Sequence, residues 1–296
     1  MFSCLKQCFC HAIVVFVIPC FVFFSYFCTR IKHKLIIVEL QFYNVALLFT
    51  AVFNLMIAVS LAHNNIWYGE YDDYRRSRLL SALAYTVFAV GFLLHWHFQW
   101  RTSWSAAATA LSISYFHIGA VLFGWSHTSL LYPGYLTRRV VVRDLLILVL
   151  GLTAYVIPLL FPLGGKFPEG WEKSAFIIFF LHASYISFTF YRTYYRVRRS
   201  LTQRSADSQS PSWWTAQTKH ELLVRHHSFA ISCHLIILFG IGSIIITALL
   251  PSLVWPYILL LALSVAVFGY IFYSLEAYGS IIEAATNATE SVAESQ

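Results

Sequence analysis

The side chains of this protein with the most chemical potential are its histidines. Twelve are present, and five of those in the apolar runs stand out: His95, His97, His117, His182 and His234. A helix rises about 1.5 Å per residue, which puts His117, His182 and His234 near the middle of their runs. His95 and His97 lie nearer a run end, beside Gln99 and Arg101. A neutral imidazole offers one donor and one acceptor. In hydrocarbon it can bond across a helix contact, line a ligand pocket or ligate a metal. These five are the candidate ligand-binding residues, and neither a catalytic set nor a metal site is expected.

The thirteen acids all read as loop, run-edge or tail residues. That argues against paired-carboxylate catalysis and against ion-coupled carriers, which place carboxylates inside the bundle. No cofactor is expected. Haem b is the alternative; it needs two facing histidines with cations near its propionates, and His95 or His97 beside Arg101 is the one suggestive cluster. A membrane zinc hydrolase would show His-x-x-x-His on a late helix, and the last run has no histidine. Five of the six cysteines fall within the first 28 residues with no Cys-x-x-Cys pair, so a metal knuckle is not expected.

Composition fixes the solvent of these groups. The chain is 59% hydrophobic, 18% aromatic and only 11% charged, with a mean hydropathy of +0.67. A soluble chain carries about 25% charge. The expected fold is all-α, a polytopic integral membrane helical bundle. Its centre is the stretch 79–127, in which two apolar runs meet at a short polar joint, Gln99 to Ser105. Seven runs long enough for a ~30 Å hydrocarbon layer occupy roughly 41–62, 79–100, 104–125, 144–162, 173–194, 229–250 and 252–274. An eighth, 9–29, is expected to remain as an N-terminal hydrophobic helix; a cleaved signal peptide or misassigned upstream translation are the other readings. The division is then 1–38, a hydrophobic anchor with a basic linker; 39–275, a seven-helix core; and 276–296, an acidic tail. The joint 195–228 reads as a mobile loop. Trp100, Trp104, Trp125, Trp171, Tyr194, Tyr195 and Trp255 fall at run ends, as interfacial rings do.

Two helix faces carry seams of small residues. Ala107, Ala110, Ser114, His117, Val121 and Gly124 form one; Ser81, Ala84, Phe88, Gly91 and His95 form the other. Small seams let membrane helices approach closely. His117 should therefore be neutral and bonded near Ser114 or to His182 on a facing helix, with Gly124 at a close contact.

Cations divide unequally. Arg75, Arg76, Arg78, Arg138, Arg139, Arg143 and most of the 195–228 joint share one side with Lys6. The other side holds Arg30, Lys32, Lys34, Arg101, Lys166 and Lys173. The positive-inside rule makes the first side cytoplasmic, and with it the C-terminus. Arg75, Arg76, Arg138, Arg139, Arg198 and Arg199 could dock a cytoplasmic signalling protein or anionic lipid. The lipid bilayer is the expected environment. Nucleic acid is not an expected partner, since no basic helix or aromatic platform stands outside the membrane. In the tail, Glu276, Glu283 and Glu290 recur every seven residues, which suits either an output helix or a frayed end.

In layout, this resembles the seven-helix sensory regions of bacterial membrane-anchored signalling proteins. Short loops, a cytoplasmic exit and a helix leading inward are the shared features, across residues 41–285. The resemblance implies a non-enzymatic sensor or receptor subunit acting through a partner. A haem-binding redox protein is the alternative, and a transporter-like or scaffold protein a third.

Overall fold

A computed structural model describes residues 35–63, 72–132, 134–160, 171–206, 216–250 and 253–293. The N-terminal run at 9–29 lies outside them. The regular structure among the described residues is entirely helical: α1 (Leu35–His63), α2 (Asp72–Phe98), α3 (Trp100–Ser103), α4 (Ser105–Leu131), α5 (Arg138–Leu160), α6 (Trp171–Ala206), α7 (Ala216–Leu249) and α8 (Trp255–Ala293). Six of them, α1, α2, α4, α5, α7 and α8, contain stretches long and apolar enough to cross a membrane. The chain is a multi-pass helical membrane protein. The fifth of the seven expected runs, 173–194, falls in α6, which is not among the six. Ser184, Ser187, Thr189, Tyr191 and Arg192 dilute its apolar character.

Five helices, α2, α5, α6, α7 and α8, begin or end in charged sequence that hydropathy assigns to loops. α5 starts at Arg138, two turns before its apolar run. α6 and α7 extend into the joint 195–228, so its described residues are helical and not loop. α8 passes without a break from the apolar run into the acidic tail.

α4 is the hub, packing on α2, α5, α6 and α7. It lies antiparallel to α2, whose seam meets not the expected α4 seam but a second face of α4, carrying Ser112, Tyr115, Gly119 and Ser126. At one end Ser126 Oγ bonds Ser77 Oγ at 2.8 Å and Ser81 Oγ at 2.7 Å. Midway, Gly119 faces Phe88 and Gly91 faces Tyr115 so closely that a Cβ on either glycine would overlap the opposing ring. At the far end His95 Nε2 meets Ser112 Oγ at 3.0 Å. Small residues thus supply the close approach that dispersion requires where no water drives association. On the other side of α2, Tyr74 and Tyr85 donate to the backbone oxygens of Leu275 and Phe268 in α8, at 2.9 and 2.8 Å.

Outward faces are apolar. Val45, Met56, Leu146, Leu150, Leu181 and Phe188 are all at least 60% exposed, a surface suited to lipid and not to water.

Arg78 departs from the sequence reading. It is fully buried, not a solvated loop charge. Its NH2 pairs with Glu276 Oε1 at 2.9 Å, NH1 donates to the Tyr74 hydroxyl at 3.1 Å, and Nε points to Leu61 O at 3.4 Å. One guanidinium thereby ties α1, α2 and α8 together, and Glu276 is part of this joint.

Candidate functional site

The polar interior centres on α4, α5 and α6. His117 projects from α4 and is fully buried. Its Nε2 lies 2.8 Å from His182 Nδ1 on α6, and its Nδ1 lies 3.1 Å from the Tyr155 hydroxyl on α5. The expected bond between His117 and His182 is present. Gly151 of α5 makes room for the ring, because a Cβ there would sit 2.8 Å from His117 Cε1.

The network continues to an acid that the sequence reading placed at a run edge. Asp144 is 1% exposed, because α5 begins six residues before it. Its Oδ2 accepts from Trp125 Nε1–H at 2.7 Å. Its Oδ1 accepts from Arg143 Nε–H at 2.8 Å and is ion-paired with NH2 of the same guanidinium at 2.7 Å. That is the donor set of an ionised carboxylate. Trp125, expected at the interface, is buried for this reason. His182 Nε2 stands 3.8 Å from Asp144 Oδ1, beyond hydrogen-bond reach.

Two proton assignments keep both imidazoles neutral, and only one points a donor at Asp144. In it the Tyr155 O–H donates to His117 Nδ1, His117 Nε2–H donates to His182 Nδ1, and His182 Nε2–H faces the carboxylate. The result is a directed line of four side chains. It covers the eleven residues from Asp144 to Tyr155, or about 16 Å of helix. A shift of roughly 1 Å at His182 would complete it for proton movement.

The other candidate histidines are not part of this line. His95 is buried at the far end of the bundle with Ser112 and Arg101. His97 is exposed and stacks edge-on against Phe98. His234 faces outward from α7, with Nδ1 on its own backbone at Ala230 O and its ring against Tyr191. Among the described residues no cluster of three His, Cys, Asp or Glu could hold a metal. Of the basic docking candidates, Arg75, Arg76, Arg138 and Arg139 are exposed. Arg198 and Arg199 lie outside the residues whose side chains are described.

Next to the histidine line is a cavity of about 280 Å³ between α4, α6 and α7. Phe116, Phe179, Ile186, Ile237 and Phe239 form part of its apolar wall, and Gly240 leaves part of it open. Phe180 and Ile241 line it from either side while themselves exposed on the outer surface. Its notable polar group is His127, a residue outside the five candidates. His127 Nδ1 lies 2.9 Å from Phe123 O on its own helix, so Nδ1 carries the proton. Nε2, on the other edge of the ring, is buried with no partner.

Sequence reasoning missed Asp144, Tyr155 and His127 for different reasons. The first was hidden by a helix start placed too late. Tyr155 and Gly151, one turn apart, were a readable signal for a polar group facing α5. His127 falls just past the expected 104–125 run, whereas the helix continues to Leu131.

Comparison with known proteins finds no matching family model, no matching curated protein and no matching solved structure.

Proposed function

We propose that this protein is a sensor or receptor subunit with seven spanning helices, α6 included, that takes an apolar ligand from the bilayer. The observation that carries this reading is the cavity of about 280 Å³, just below the ~300–1,000 Å³ usual for small-molecule sites. Aromatic walls suit a hydrocarbon chain, and the bare Nε2 of His127 suits one hydroxyl or N–H donor on it. α6 and α7 touch at Tyr191–His234 and Phe190–Phe229; farther along, Phe180 and Ile241 flank a way in from lipid. Occupancy would press on α6 and α7, and α8 would carry the response past Glu276 to a cytoplasmic partner. Exposed Arg75, Arg76, Arg138 and Arg139 form the docking face, with Arg198 and Arg199 assigned to it by sequence.

A diazirine-bearing long-chain alcohol, photolysed with the full-length protein in bilayers, tests the site. Labelling should concentrate on Phe179, Ala183 and Ile237 and be lost in Gly240→Phe, at a position where a Cβ would meet nothing within 4 Å. Labelling confined to outward residues such as Met56 and Leu146 would sink the reading. Reporters fused after Gly165 and Ser205 test the spanning of α6 and should report opposite sides, Ser205 inside.

A second reading rests on Asp144. A buried acid next to two linked histidines removes the objection to a proton-coupled, transporter-like protein. Proton flux into vesicles that falls in His182→Phe but survives Gly240→Phe would favour it over the receptor.

A further inference from the structure

Arg101 poses the opposite problem from Arg78. Both guanidiniums are buried, Arg101 at 5% exposure, and they lie toward opposite ends of α2. Arg78 has Glu276. Among the described residues the ion pairs are Arg78–Glu276, Arg143–Asp144 and His182–Asp144, and no carboxylate pairs with Arg101. Residues 1–38, on the N-terminal side of the first acid, contain none to offer.

What surrounds Arg101 is neutral. NH1 donates to the Tyr257 hydroxyl at 3.0 Å and NH2 to Ser112 Oγ at 3.0 Å. The guanidinium carbon lies 3.8 Å from the Tyr257 ring centre. Ser112 Oγ gives its own proton to Ala108 O at 2.9 Å, so it also accepts from His95 Nε2–H. Arg101 Nε–H is buried without a partner. Hydroxyls and a ring face soften a cation but do not neutralise it, and an uncompensated charge away from water is among the costliest features a fold can carry.

The position is imposed by the backbone. Gln99 turns at φ 48°, a left-handed conformation that costs a non-glycine residue. The turn folds α3 back, and Arg101 with it, into the space between α1, α4 and α8. There Tyr43, His95, Arg101, Tyr257 and Ser264 help wall a cavity of about 20 Å³. One water needs roughly 10–15 Å³ by the same measure. The space is large enough for a monatomic ion and too small for phosphate or a lipid carboxylate.

We propose that this cavity binds one small monatomic anion, chloride being the abundant case, as the counter-charge of Arg101. The anion takes the Nε–H bond and completes the electrostatics of a joint between α1, α3, α4 and α8. The site meets the apolar cavity across Phe116 and Phe239, which line both, but its ligand differs in charge and size.

The test is the thermal midpoint of the full chain in an uncharged detergent at constant ionic strength, with gluconate exchanged for chloride or bromide. The expected result is a saturable rise of several degrees with either halide, since a ligand that binds only the folded state stabilises it as concentration exceeds its dissociation constant. Gluconate cannot enter and should give none. Arg101→Gln should abolish the halide response. If that variant does not fold, Tyr257→Phe, which removes one guanidinium partner but leaves the ring, should shift the half-saturating chloride concentration at least severalfold. Equal midpoints in chloride and gluconate for the wild type, a non-saturating rise, or an unchanged response in both variants would overturn the proposal.

Discussion

Gly151 of α5 and His117 of α4 are fitted to each other: a methyl group on Gly151 would stand 2.8 Å from Cε1 and 2.9 Å from Nδ1 of the imidazole. No φ constraint requires glycine there; the required property is the absence of a side chain. Gly151→Ala should cost about 1–3 kcal/mol, the usual range for overpacking, and break the bonds to Tyr155 and His182. Because the clash is with His117 itself, Gly151→Ala combined with His117→Ala should cost less than the two separately. Thermal unfolding of the four proteins decides this, and strict additivity would refute the contact.

Gly124 on the same α4 seam faces Ile186 of α6, where any Cβ would overlap the isoleucine side chain. Gly124→Leu should therefore lower the thermal midpoint in detergent more than His117→Leu. The histidine variant loses two hydrogen bonds, and such bonds in membrane bundles average only ~0.6 kcal/mol each. A Gly124→Leu midpoint equal to wild type would mean α4 and α6 do not meet there.

Arg78 should behave unlike its neighbours. Arg75→Ala and Arg76→Ala remove exposed charges and should change stability by no more than ~0.5 kcal/mol. Arg78→Ala strips three helices of a shared partner and leaves Glu276, 24% exposed, without its cation. A loss approaching ~3 kcal/mol is expected, below the upper range for buried pairs because water reaches the glutamate. Equal effects for all three arginines would return Arg78 to the role of a loop charge.

Asp144→Ala should strand the indole N–H of Trp125 and the guanidinium of Arg143, both of which now end on the carboxylate. The buried Trp125 donor left unpaired costs about 1–3 kcal/mol, whereas Arg143, 39% exposed, can turn to water. Asp72→Ala, at an exposed helix start, is the matched control. Similar midpoints for the two variants would show that Asp144 is not interior.

The sequence by itself determined the solvent and the class of fold. Long apolar runs with few acids leave helices as the one way to satisfy the backbone in lipid, and the described residues of each expected run between 41 and 274 are mostly helical. The small seams were also legible, since a period of three and four places Gly91, His95, Gly124 and His117 on defined faces whatever they touch. Partner identity was not legible. Whether Asp144 meets water or Trp125 depends on where α5 starts and how it is rotated against α4. Hydropathy cannot see this, because charged residues in the first turns look like loop. Arg78 and Arg101 show the same limit. On sequence both are basic residues flanking apolar runs, and only the packing of α8 against α2 and the left-handed turn at Gln99 bring them inside. One then meets a carboxylate, and the other meets only neutral groups. A linear pattern fixes which face a residue occupies; the register and rotation of neighbouring helices fix what stands opposite.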